Sequence, residues 1–179
     1  MIYLSAGHFF GDPGAINATG VKEADLTMEL RSLIAAELTK LGASFVLDKD
    51  TENLSQYISR IKPGSGSVVC EIHFNAGQPT ANGVETLVKT GANHGENLLA
   101  AEINKVLVDV CGLRNRGVKT EADSHRGRLG ILHTAAGISV LPEICFISNV
   151  SDLGRYQGKK EAVAKGIAAA LKKYDDLYK

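Results

Sequence analysis

Ile138-Ser139-Val140-Leu141-Pro142-Glu143-Ile144-Cys145-Phe146-Ile147 is an apolar run of strand length, broken in its middle by a single carboxylate. Its apolar positions are consecutive rather than alternating, so both faces of the strand are expected to be covered, as in a sheet buried between layers. Similar runs stand at Ile2 to Ala6, Ser44 to Leu47, Ser67 to His73, Val84 to Val88 and Leu129 to His133. Helical patterns lie between them. Glu23 to Leu41 puts Leu26, Leu30, Leu33, Ile34, Leu38 and Leu41 at helical spacing, with Gly42 as its stop. Gly95 to Cys111 repeats the pattern with Leu99, Ile103, Val106, Leu107 and Val110 before Gly112, and Lys159 to Tyr174 with Val163, Ile167, Ala170 and Leu171. A shorter helix over Leu54 to Ile61 ends before Pro63, because proline disfavours helical geometry in the residue preceding it. Strands interleaved with helices predict a three-layer α/β fold with a largely parallel sheet. Gly11 to Gly20, Pro63 to Ser67 and Gly112 to Arg128 read as loops.

The chain has 179 residues, 44% of them hydrophobic and 22% charged, which fits one catalytic-sized domain over residues 1–179. Lys plus Arg number 20 and Asp plus Glu 20, so the net charge is +0 and the footprint of a nucleic-acid binder is missing. No apolar stretch reaches the length of a membrane span, so no membrane insertion is expected. The opening Met1-Ile2-Tyr3-Leu4-Ser5-Ala6-Gly7-His8 lacks the basic and apolar regions of a secretory signal. Cys70, Cys111 and Cys145 have no metal-type or redox spacing and are expected to be reduced thiols.

In sheets of this kind ligands collect beyond the carboxyl ends of the strands, which directs attention to the polar residues there. His8 follows the first strand, Glu23 opens the first helix, His73 closes the third strand and Glu143 interrupts the last. Each has a plain structural reading: a strand-end histidine is often just hydrogen-bonded, and an acid in a first helical turn suits the helix dipole. Glu143 is harder to absorb that way, because an unpaired carboxylate in an apolar strand is costly or shifts its pKa upward. Two imidazoles and a carboxylate are ligands of the kind a catalytic zinc uses, and a second carboxylate beside its open position serves as general base.

The surrounding text is more specific. Ser5-Ala6-Gly7-His8, Gly11-Asp12-Pro13-Gly14-Ala15 and Gly20-Val21-Lys22-Glu23 resemble the opening motifs of the zinc-dependent N-acetylmuramoyl-L-alanine amidases of the amidase_3 type. Glu71-Ile72-His73-Phe74-Asn75-Ala76, Gly83-Val84-Glu85-Thr86 and Leu141-Pro142-Glu143-Ile144-Cys145-Phe146-Ile147-Ser148-Asn149 resemble later segments of that family, in order along nearly the whole chain. The resemblance implies a twisted sheet of about six strands with helices on both faces, and one Zn²⁺ per chain on His8, Glu23 and His73. It implies Glu143 as catalytic acid and base, peptidoglycan as substrate, and the amide between N-acetylmuramic acid and L-Ala as the bond cut. Asn75 and His133 are the candidates for substrate contact, while His94 and His125 read as solvated. A layout without signal or wall-binding repeat is similar to a phage endolysin, made in the cytoplasm and released through a pore; the sequence leaves the oligomeric state open.

The chain departs from the family at several places. Ala6 stands for Pro, Glu71 for Ser, Cys145 for Gly, and Val46-Leu47-Asp48-Lys49-Asp50 for a Thr-Arg, while His133 falls near a position often held by Arg. Glu71, two residues before His73, shares its face of the strand. Rival readings lack their parts: there is no phosphate-loop order, and Cys70 and Cys145 lie in apolar strands where thiols are inert. An inactive peptidoglycan-binding homologue would have lost its base. A zinc peptidase cutting within the stem peptide would share all four residues.

Overall fold

The computed structural model describes residues 1–124 and 126–179; His125 lies outside them. Six strands form one sheet: β1 (Ile2–Ala6), β2 (Phe45–Leu47), β3 (Val68–Asn75), β4 (Val84–Val88), β5 (Asn115–Thr120) and β6 (Ile138–Phe146). The helices are α1 (Glu23–Lys40), α2 (Leu54–Arg60), α3 (His94–Cys111), α4 (Val150–Gln157) and α5 (Lys160–Tyr178), with 3₁₀ turns at Glu121–Asp123 and Gly130–His133. Among the described residues no helix is long and apolar enough to cross a membrane.

The strands run in the order β2-β1-β3-β6-β4-β5. The first four are mutually parallel, β4 and β5 are parallel to each other, and β6 meets β4 antiparallel. The carboxyl ends of β1, β3 and β6 therefore share an edge with the amino end of β4, where Glu85 stands opposite Glu143. The expected three-layer, mostly parallel α/β sheet is present.

Consecutive apolar residues do what they predict and feed two cores. Ile2, Leu4, Val68, Cys70, Ile72 and Val140 pack beneath Leu30 and Ile34 of α1, Leu99 and Ile103 of α3 and Ile167 and Leu171 of α5. On the opposite face Tyr3, Val69, Leu87 and Leu141 are covered by Tyr57 and Ile61 with Ile131 and Leu132. Each such side chain, fully buried, contributes roughly 1.5–3 kcal/mol. The second cover is thin, one seven-residue helix and the 3₁₀ turns, and that thinness leaves room for a cleft.

Two local expectations are corrected, and one helix was not anticipated. Leu129 to His133 is a 3₁₀ turn rather than a strand, because Ile131 and Leu132 are buried by lying on the sheet face instead of pairing at an edge. Asn115–Thr120, read as loop, is an edge strand whose polar sequence NRGVKT carries no apolar periodicity. Val150–Gln157 is a helix capped by the Asn149 side chain, which accepts from Asp152 N at 3.0 Å. Two bulges shape the edge. Between His73 and Asn75, β6 inserts one extra residue, so that Phe146 rather than Cys145 pairs with Asn75. Between Val84 and Thr86, β5 does the same around Gly117, whose φ is 88°.

Candidate metal and catalytic site

β1 hands the chain to Gly7, whose N–H donates to Ile72 O at 2.7 Å, and His8 follows at φ 70°, a left-handed backbone unusual outside glycine. The loop closes back on itself, with Asp12 Oδ2 accepting from His8 Nδ1 at 2.8 Å and Asp12 Oδ1 from Gly14 N at 3.1 Å. Ala15 O then receives the Glu23 N–H at 2.8 Å, which fixes the start of α1 beside the end of β1. Glu23 is the hub. Its Oε1 accepts from Phe74 N and from His73 Nδ1, both at 3.0 Å, and its Oε2 accepts from Ala15 N at 3.0 Å and stands 3.2 Å from His8 Nε2.

The structure thus brings together three residues separated widely in the chain: a ligand atom from each of His8, Glu23 and His73 lies within 4.8 Å of the other two. The two imidazoles meet edge to face, their centroids 5.2 Å apart. Two glycines keep the space open. A β-carbon at Gly7 would come within 2.3 Å of the His73 ring, and one at Gly14 within 2.5 Å of the His8 ring and 2.7 Å of Glu23 Oε2.

Burial alone would raise the Glu23 carboxyl, but the adjoining imidazoles of His73 and His8 outweigh it and hold the pKa far below the usual range. Burial likewise opposes charge on His8 and His73, and the adjoining carboxylates overcome it and raise both pKa values. The cluster has a strong demand for positive charge. Among the described residues, His8 Nε2 is covered and has no hydrogen-bond partner, though Glu23 Oε2 stands 3.2 Å away, and Glu143 Oε2 likewise has none. Glu143 pairs across the ladder with His73. Burial pushes its carboxyl up to about 7, His73 pulling it down and the Glu23 and Glu85 carboxylates pushing it further up.

A cleft of about 480 Å³ opens over this edge, lined by Glu23, Glu71, His73, Asn75, Glu143 and Phe146 among others. Asn75 lies in its wall, its Nδ2 donating to Glu85 Oε1 at 2.8 Å. His133 has a different post. Its Nε2 donates to Glu121 Oε1 at 2.8 Å, and Glu121 Oε2 accepts from Leu129 N at 2.7 Å, so this pair braces the turn that covers the sheet, and His133 is not in the cleft lining. His94 is exposed at the start of α3. Cys70 and Cys145 are fully buried, and burial pushes both thiols up, which removes them as nucleophiles. Sequence reasoning missed the roles of Glu85, Arg116 and Lys119 in the cleft wall. Glu85 carried a usable signal, being an acid in an apolar strand as Glu143 is; the two cations had none, since their strand read as loop.

Comparison with known proteins agrees with the fold just described. The chain is 29% identical to the uncharacterized protein YqiI of Bacillus subtilis, over 99% of this chain and 84% of the relative. It is 27% identical to an uncharacterized cell wall amidase of Bacillus anthracis, over 83% of this chain but only 29% of that longer protein. The fold matches the N-acetylmuramoyl-L-alanine amidase AmiC2 of Nostoc punctiforme with a TM-score of 0.79 at 21% identity, covering 97% of this chain and 96% of that one. Residues 2–173 match the family model of the N-acetylmuramoyl-L-alanine amidases, Amidase_3, so the segments that meet around Glu23 and Glu143 all fall inside it, and the chain belongs to that family.

Proposed function

We propose that the protein hydrolyses the amide between the lactyl group of N-acetylmuramic acid and the L-Ala of the peptide stem, with one Zn²⁺ per chain on His8, Glu23 and His73. Family membership supports an amidase acting on peptidoglycan. Two imidazoles and one carboxylate suit a catalytic zinc, which takes three protein ligands and keeps a fourth position open. The observation that carries the reading is the orphaned His8 Nε2, covered and without a hydrogen bond inside a triad whose donor atoms converge. Leaving such a nitrogen unmet costs about 1–3 kcal/mol, and a cation bound there removes the cost.

When bound, Zn²⁺ polarises the substrate carbonyl and makes water acidic enough to attack at neutral pH. The rest falls to the chain. Glu23 stays ionised and orients both imidazoles through its two oxygens. Glu143, with a pKa of about 7, suits proton transfer in both directions at neutral pH. It accepts the proton of the attacking water on its unpartnered Oε2, then delivers that proton to the amide nitrogen as the amine leaves. Leu87, Ile131 and Leu141 give the cleft an apolar floor that limits water, and Asn75, fixed by Glu85, stands ready to hydrogen-bond substrate.

Incubation with purified peptidoglycan should release new free L-Ala amino termini, detected by mass spectrometry. Cleavage elsewhere in the stem would overturn the bond assignment and favour a zinc peptidase.

A further inference from the structure

The far wall of the cleft holds a feature that proton transfer and metal binding leave unused. Arg116 and Lys119 are three residues apart on β5 and would face opposite sides of a regular strand. The bulge at Gly117 inserts one residue between them, and both turn to the same carboxylate. Arg116 Nε donates to Glu85 Oε2 at 2.6 Å and Lys119 Nζ lies 2.5 Å from the same oxygen. Asn75 holds the other oxygen. Glu85 thus answers two cations with one carboxylate, Asp123 adds a second carboxylate that feels Lys119, and the Arg116 guanidinium, whose Nη1 reaches Asn82 O at 3.4 Å, keeps further N–H donors on a wall where both cations are partly exposed. The Arg116 guanidinium also lies over the Phe146 ring at 5.0 Å, which fixes its plane. Carboxylates dominate the opposite end of the cleft, at Glu23, Glu71 and Glu143.

We propose that Arg116 and Lys119 bind a free carboxylate carried by the second residue of the stem peptide, so that the peptide leaves the metal end and runs over β4 toward β5. The assignment rests on the amide-hydrolase reading given above. The reach is right. Two strand spacings separate β6 from β5, about 10 Å, and an extended chain advances about 3.4 Å per residue, so two residues plus a forward-reaching Arg or Lys side chain bridge the gap. Arg is suited to this task because its planar fork matches a carboxylate, and the Phe146 ring beneath it orders that fork before the ligand arrives.

The test compares N-acetylmuramoyl-L-alanyl-γ-D-glutamyl-L-lysine, whose second residue keeps a free α-carboxylate, with its isoglutaminyl counterpart, in which that group is an amide; in both the γ-carboxyl of the second residue is tied up in a peptide bond. Binding to the Glu143→Gln protein, measured by calorimetry, should favour the acid by about tenfold, the order expected of one charge-assisted hydrogen bond in a half-open cleft. Hydrolysis by the wild type should show the same preference, mostly in KM. The double variant Arg116→Gln, Lys119→Gln should lose the preference, while Lys105→Gln, on the exposed face of α3, should keep it. Equal binding of acid and amide by the Glu143→Gln protein, in which Arg116 and Lys119 are intact, overturns the proposal, whether or not the double variant folds. If neither compound is hydrolysed but the acid binds better, the carboxylate site stands and the bond assignment falls.

Discussion

Replacing Glu143 with Gln should make the metal-free protein more stable at neutral and alkaline pH while abolishing its activity. The carboxyl lies inside β6 with Oε2 covered and unpartnered, and burial carries its pKa from 4.5 to about 7. Each unit of displacement is worth about 1.4 kcal/mol, so the ceiling on the cost to folding is about 3 kcal/mol once pH exceeds both values. Water reaching the cleft and local relaxation reduce this, and a gain of about 1–3 kcal/mol is expected for the isosteric amide. The sign follows from linkage. Below pH 4.5 the carboxyl is protonated in folded and unfolded chains alike and costs nothing. Between 4.5 and 7 the unfolded chain gives up the proton while the folded one keeps it, so wild-type stability falls relative to the variant; above 7 the gap is constant. Urea unfolding of EDTA-treated wild type and Glu143→Gln at several pH values from 4.5 to 8 measures this gap. A gap that does not change with pH, or a variant less stable than wild type at pH 8, would refute the argument that Glu143 is held against its ordinary ionisation.

Three further outcomes follow from the same geometry. Glu143→Gln should retain zinc by atomic absorption while losing about 10²–10⁴-fold in activity, whereas His8→Ala and His73→Ala should lose the metal itself. Glu71 Oε2 lies 3.3 Å from His73 Nε2 on the side away from Glu23, so Glu71→Ser should weaken zinc affinity by about 10–100-fold in a competitive chelator titration; unchanged affinity would make Glu71 a cleft-lining group only. Gly14→Ala combines φ 64° with a β-carbon 2.5 Å from the His8 ring, and should lower both thermal stability and zinc content, while Gly20→Ala, with open space around it, should lower stability alone.

The layers of the fold were legible because β1, β3, β4 and β6 and the helices α1, α3 and α5 carry strong apolar patterns, and those patterns are the cores themselves. What escaped was pairing at the margins. β5 gains its place from hydrogen bonds to β4 and from Glu85, neither of which leaves an apolar period in NRGVKT. The Leu129 to His133 run misled because burial on a sheet face and burial within a sheet demand the same residues. Within the site, Glu143 was readable because it puts charge where apolar neighbours predict none, while His8, Glu23 and His73 stood out by their places at strand and helix ends and by the motifs around them. Arg116 and Lys119 were not, because only a bulge turns them toward the same oxygen, and register shifts have no composition.

The position of β6 has a consequence for how the molecule comes to exist. The parallel block β2-β1-β3 carries the His8–Glu23–His73 end, the block β4-β5 carries the cationic wall, and β6 alone hydrogen-bonds to both. It is also the last strand made. A ribosome releasing this chain has produced every other strand, and His8, Glu23 and His73, before Ile138 emerges, yet the two halves have no seam to close on until it does. The pairing of β6 with β3 spans about 70 residues of chain, a long-range closure that slows folding. Closure of the sheet therefore waits for Ile138–Phe146, and only α4 and α5, which follow it in the chain, complete the layer over the larger core.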